Sequence, residues 1–117
     1  MILADTSVWV QHFRHGLPAL AKRLSRGEVA THSVVIGELA TGNLTRRRET
    51  LSWLAQLPRV AEASSAECLD FLERHELFGV GIGWSDVQLL AAAQRSHIPN
   101  WSLDKKMTAS ARQLRLV

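Results

Sequence analysis

Cysteine is almost missing. Cys68 is the only one in 117 residues, so no intrachain disulfide can staple the fold, and no Cys/His cluster with zinc spacing is present. No apolar run approaches the roughly 18 residues of a membrane span. The N-terminal MILADTSVWV lacks the charged region and apolar stretch of a secretory signal. These lacks predict a soluble, cytoplasmic protein with a reduced thiol. Also absent are a nucleophile elbow, a Gly-rich phosphate loop and a Ser/His/Asp spacing suited to covalent hydrolysis. Repeats, linkers and low-complexity tracts do not occur, and 46% hydrophobic residues suffice for one ordinary core. One domain over residues 1–117 is expected.

What is present alternates between two kinds of pattern. Met1 to Ala4 predicts a short buried strand, and Thr6 to Phe13 a helix opened by hydroxyl residues. Leu17, Leu20, Ala21 and Leu24 form the stripe of an amphipathic helix closed by Gly27. Glu28 to His32 predicts a second strand, and Ser33 to Thr41 a helix. Leu51, Leu54 and Ala55 mark another helix, ended by Pro58, with a weak strand expected at Arg59 to Ala63. Ser64 or Ser65, followed by Glu67, opens a helix through Leu77 that packs Cys68, Phe71 and Leu72. Gly79, Gly81 and Gly83 shape a loop before Asp86. Asp86 to His97 is apolar almost all round, as a buried helix is, and Pro99 blocks its continuation. A last strand at Asn100 to Leu103 and a helix at Lys105 to Leu114 complete the chain. Strands alternating with helices predict a three-layer α/β domain with a mostly parallel central sheet.

Four acids stand out against that frame: Asp5 in LADTSVW, Glu38 in VVIGELATG, Asp86 in GWSDVQLLAAA and Asp104 in NWSLDKK. Asp5 and Asp104 each follow a short apolar run, the position of a residue at a strand's carboxyl end. Glu38 and Asp86 lie on or at the start of helical patterns, and the apolar flanks Ile36 and Leu39 suggest that Glu38 faces a crevice. An open parallel sheet collects its ligands beyond the carboxyl ends of its strands, so the four could meet there. The bland alternative is that Asp5, Asp86 and Asp104 merely cap or stabilise helix starts and Glu38 is solvated.

Crowded carboxylates raise one another's pKa, and a divalent cation removes the conflict. Mg²⁺ takes oxygen ligands and keeps several waters, which suits a few carboxylates around a partly hydrated ion. Such an ion lowers the pKa of a bound water and neutralises charge on a phosphodiester, and two ions roughly 3.5–4 Å apart divide those tasks. The net charge of +3 points the same way. Set the four acids aside from the 11, and seven acidic residues face 14 basic ones. A sequence pI near 9.8 agrees with a polyanionic partner such as nucleic acid.

DTSVW, GELATG, SDVQLLAAA and SLDKKM, in this order and spacing, resemble the PIN-domain ribonucleases, in particular the VapC-type toxins of bacterial and archaeal toxin–antitoxin pairs. The resemblance runs from Met1 to about Val117. It implies an α/β/α PIN-like fold and an endoribonuclease dependent on Mg²⁺ or Mn²⁺, with one or two ions at Asp5, Glu38, Asp86 and Asp104 as catalytic and metal residues. It also implies a homodimer, inhibited by a small cognate antitoxin lying across the site. Ser102, two residues before the last acid, matches a supporting hydroxyl position where threonine is more usual, and Thr6 or Ser7 is expected to support the first acid.

Other residues carry weaker expectations. Arg46, Arg47 and Arg48 are the densest positive charge and could contact RNA phosphates, as could Lys105, although such runs are more often solvated faces. Trp84 could stack on a base, while Trp9, Trp53 and Trp101 are assigned to core or interface. His12 and His15 could share a helix face but make a poor metal site. Two rivals remain: a non-catalytic PIN-fold module that binds RNA or protein, and an acidic-site phosphatase or receiver. The second lacks support, since the position two after Asp5 is Ser7 rather than a second acid.

Overall fold

Every residue of β1 (Ile2–Ala4) is buried. Successive strand residues point to opposite faces, so the sheet is covered on both sides and the domain has three layers. The computed structural model describes residues 1–117. β2 (Val29–Ala30) and β3 (Asn100–Trp101) flank β1, both parallel to it, in the order β2-β1-β3. Ile2 pairs with Val29 and Leu3 with Ala30 on one side; Leu3 pairs with Asn100 and Ala4 with Trp101 on the other. The chain therefore leaves β1 in one direction and returns on its other side, which makes the β1/β3 carboxyl edge a switch point and a natural crevice.

Helices α1 (Thr6–His15) and α2 (Pro18–Ser25) link β1 to β2, and α3 (Ser33–Ala40), α4 (Arg47–Ala55), α5 (Ser65–Arg74) and α6 (Trp84–Ser96) precede β3. α7 (Lys105–Gln113) follows it. α3 packs on α1, α4 and α6, and α5 lies along α6. The apolar surround of α6 serves this position, with Val87, Leu89, Leu90 and Ala91 to Ala93 all buried. Trp9, Leu3, Leu20, Leu54 and Met107 are fully buried in the core. No helix is long and apolar enough to cross a membrane.

Several expectations shift in detail. The strand expected at Arg59 to Ala63 is a single parallel bridge between Thr31 and Arg59, because Glu62 turns away to hold α3. Its carboxylate accepts the Ser33 N–H at 3.0 Å and the Ser33 hydroxyl at 2.5 Å. Ser64, not Ser65, caps α5: its Oγ accepts the Glu67 N–H, and the Glu67 carboxylate accepts the Ser64 N–H. α5 stops at Arg74 rather than Leu77. α6 starts at Trp84, two residues before Asp86, and β3 ends at Trp101 so that Ser102 and Leu103 bend into the crevice.

Candidate active site

Asp5 leaves β1 and caps α1, its Oδ1 accepting the Val8 N–H at 3.3 Å. Asp104 leaves the β3 turn and caps α7, its Oδ2 accepting the Met107 N–H at 3.3 Å. Asp86, in the first turn of α6, accepts the Gly83 N–H on Oδ2 at 3.1 Å. The capping alternative is therefore physically real for all three, and helix dipoles favour negative charge there. Yet each cap uses one oxygen. Asp5 Oδ2, Asp86 Oδ1 and Asp104 Oδ1 take no hydrogen bond from the protein.

Glu38 reaches the same crevice from the exposed face of α3, and hydroxyls aim it. Thr6 donates to Oε1 at 2.6 Å, and Ser85 lies 3.4 Å from Oε2. Of the two hydroxyls that could support the first acid, Thr6 holds Glu38. Ser7 is the one that supports Asp5, donating to Oδ1 at 2.5 Å. With its only proton committed there, Ser7 Oγ accepts the Leu103 N–H at 2.9 Å and faces Ser102 Oγ at 3.4 Å. Ser102 in turn accepts the Asp104 N–H at 3.0 Å. A chain of hydroxyls thus joins the β1 end to the β3 end, and such chains strengthen one another.

The acids feel one another. Burial pushes the Asp86 carboxyl above its usual range, the Gly83 N–H opposes this, and the charges of Asp5, Asp104 and Glu38 add to the rise. No three His, Cys, Asp or Glu side chains stand close enough together to hold a metal ion without some movement of the acids. All-carboxylate donors with unbonded oxygens, mutually repelling across an open crevice, fit a hard divalent cation that keeps most of its waters. They do not fit a zinc centre.

Other expected residues fall into place around this crevice. Trp84 is 43% exposed at the start of α6, two residues from Asp86, and Trp101 is half-buried. Arg47 donates to the Ala40 carbonyl at 2.6 Å and the Gly42 carbonyl at 3.2 Å, Arg46 pairs with Glu49, and Arg48 has no partner. Lys105 is exposed and forms no ion pair. His12 is occupied, its Nδ1 accepting the Leu17 N–H at 3.1 Å. Ser85 was not singled out in the sequence, although a hydroxyl beside an acid in a first helical turn is a usable signal. Lys106 was also missed. Its side chain crosses Gly81 so closely that a Cβ there would collide, with Nζ 2.9 Å from that Cβ position, and Gly81 itself sits at φ +88°. Gly81 thus admits both the crossing and the turn, and Gly79 at φ +69° serves the turn alone.

The sequence model of the PIN domain family matches residues 2–112. Ribonuclease VapC32 of Mycobacterium tuberculosis, in two strains, is 36% identical over 111 residues, spanning 94% of this chain and 90% of the relative. Similarity that extends this far along both chains covers all four acid-bearing segments, and the chain belongs to the PIN domain family.

Proposed function

We propose that this chain is the endoribonuclease toxin of a type II toxin–antitoxin pair, hydrolysing RNA phosphodiesters in the cytoplasm. The observation that supports the reading is that acids from four separate segments face one crevice, where burial first, and then the charges of Asp5, Asp104 and Glu38, push the Asp86 carboxyl upward. A curated relative of matching length is a ribonuclease by name. Asp5, Glu38, Asp86 and Asp104 would hold one or two ions of Mg²⁺ or Mn²⁺. When bound, such an ion supplies a water of lowered pKa and neutralises charge on the phosphate. The chain's own part is to orient. Thr6 and Ser85 fix the Glu38 carboxylate, Ser7 and Ser102 fix the spacing of Asp5 and Asp104, and backbone N–H groups at the starts of α1, α6 and α7 orient the three aspartates. A cognate antitoxin and a homodimer belong to the same reading through the resemblance to VapC-type toxins.

The test incubates purified protein with structured and unstructured RNAs, in Mn²⁺ or in EDTA, beside Asp5→Asn. Cleavage by the parent in Mn²⁺ alone is expected, leaving 5′-phosphate and 3′-hydroxyl ends. Fragments bearing 2′,3′-cyclic phosphate would overturn the metal-water mechanism, because they require the RNA's own hydroxyl as nucleophile.

A further inference from the structure

Two adjoining cavities lead away from Glu38 between α1 and the loop that follows α3. The inner one, of about 110 Å³, is lined by Glu38 itself, and the outer one is about 300 Å³. They share Phe13, Arg14, Asn43 and Leu44. The inner space is smaller than the cavity of about 150 Å³ that accepts benzene, so a base seated here extends into the outer one.

The groove is built rather than collapsed. Phe13 packs on the buried Trp9 with ring centroids 5.8 Å apart and planes tilted by 32°. The opposite wall is tied down by Arg47, whose guanidinium bonds the Ala40 and Gly42 carbonyls. A preformed slot costs a ligand less ordering entropy. Its chemistry is mixed: Phe13 is 39% exposed, Arg14 makes no ion pair, and the Asn43 amide is exposed without a hydrogen bond. An aromatic face, a free guanidinium and an amide offering one donor beside one acceptor are the groups that recognise an unstacked base and its phosphate. A peptide helix would call for a longer and more continuous apolar face.

We propose that this groove is a nucleobase subsite: it takes the base adjoining the scissile phosphodiester, stacked at Phe13, read by Asn43, with Arg14 toward the neighbouring phosphate. The proposal rests on the ribonuclease reading above and names the part of the RNA that the site selects.

RNA binding is measured by fluorescence anisotropy on an Asp5→Asn background in EDTA, using single-stranded oligonucleotides that differ at one base. Cleavage positions of otherwise unaltered protein are mapped in Mn²⁺. Phe13→Leu should weaken RNA binding about tenfold through lost stacking, with thermal melting used to confirm that it folds. Asn43→Asp, in an exposed loop, should change the base preferred beside the cut, while Arg112→Gln, outside the groove, should change neither. Unchanged affinity and base preference in both groove variants overturn the subsite, as they must if the groove serves a protein partner. Failure of the parent to bind or cleave any RNA overturns the ribonuclease reading, and the subsite with it.

Discussion

Thr6 donates its hydroxyl to Glu38 Oε1 at 2.6 Å, so the first residue of α1 sets the rotamer of an acid on α3. Nothing on α3 itself anchors that carboxylate. Replacing Thr6 with valine keeps the shape and removes the donor. Loss of such a supporting partner typically costs about 10- to 100-fold in activity, so kcat for RNA cleavage should fall by that order in Thr6→Val and largely recover in Thr6→Ser. A Thr6→Val rate equal to the parent's would show that Ser85 alone suffices to aim Glu38.

Asp86 should betray its burial, and the crowding of acids around it, as stability. Its carboxyl titrates above the ordinary value, so the folded state favours the protonated form. That contribution is complete below the usual carboxylate pKa of about 3.9 and is lost as pH rises through the raised folded value, leaving strain at neutral pH. In EDTA at pH 7, Asp86→Asn should melt higher than the parent, and the gap should close on acidification. Mn²⁺ should raise the parent's melting temperature more than the variant's. The variant should nonetheless lose most cleavage. A lower melting temperature for Asp86→Asn at pH 7 would contradict the account by burial and like charge.

His32 and Glu62 give the opposite sign. His32 is buried at the start of α3; its Nδ1 accepts the Val34 N–H at 3.0 Å, and its Nε2 lies 3.9 Å from Glu62. Burial lowers the His32 pKa, Glu62 opposes this, and Arg59 adds to the lowering. At Glu62 burial acts upward, but the two hydrogen bonds from Ser33 outweigh it, helped by His32 and Arg59. The unfolded chain therefore binds more protons at both groups, and stability rises with pH. The His32 contribution is fully present above its ordinary pKa of about 6.5 and fades as pH falls below it. His32→Asn, which can still cap, should flatten the fall in melting temperature between pH 7 and 5. Identical slopes in parent and variant would remove His32 from the explanation.

The three arginines should separate. Arg46 spends its charge on an exposed pair with Glu49, Arg47 on two backbone carbonyls, and Arg48 on nothing. Each phosphate contact to single-stranded RNA contributes roughly 0.7 to the slope of log affinity against log salt. Arg48→Gln should flatten the slope by about that amount, whereas Arg47→Gln should chiefly lower the melting temperature by freeing the loop after α3. The measurement is RNA binding by Asp5→Asn protein across a salt series. A slope untouched by Arg48→Gln assigns that residue to the solvated face.

Local chemistry determined the parts that were legible beforehand. A helix start calls for a polar side chain within about three residues, so Asp5, Asp86 and Asp104 announce themselves in short windows of sequence. The helix periodicities, the apolar α6 and the alternation that demands a parallel sheet are similarly written into neighbouring residues. What only the tertiary structure decided is which distant partner each polar group meets. Thr6 and Ser7 are adjacent hydroxyls with the same local chances, yet one serves Glu38 and the other Asp5, because a helix turns its neighbours about 100° apart. Glu62 looked like part of a strand and became the anchor of α3, whose first N–H groups have no partner within the helix and favour a carboxylate. The slot beside Glu38 has no sequence signature at all. It exists because Trp9 holds Phe13 on one wall while Arg47 holds the other, and packing between separated segments is not encoded in any one of them.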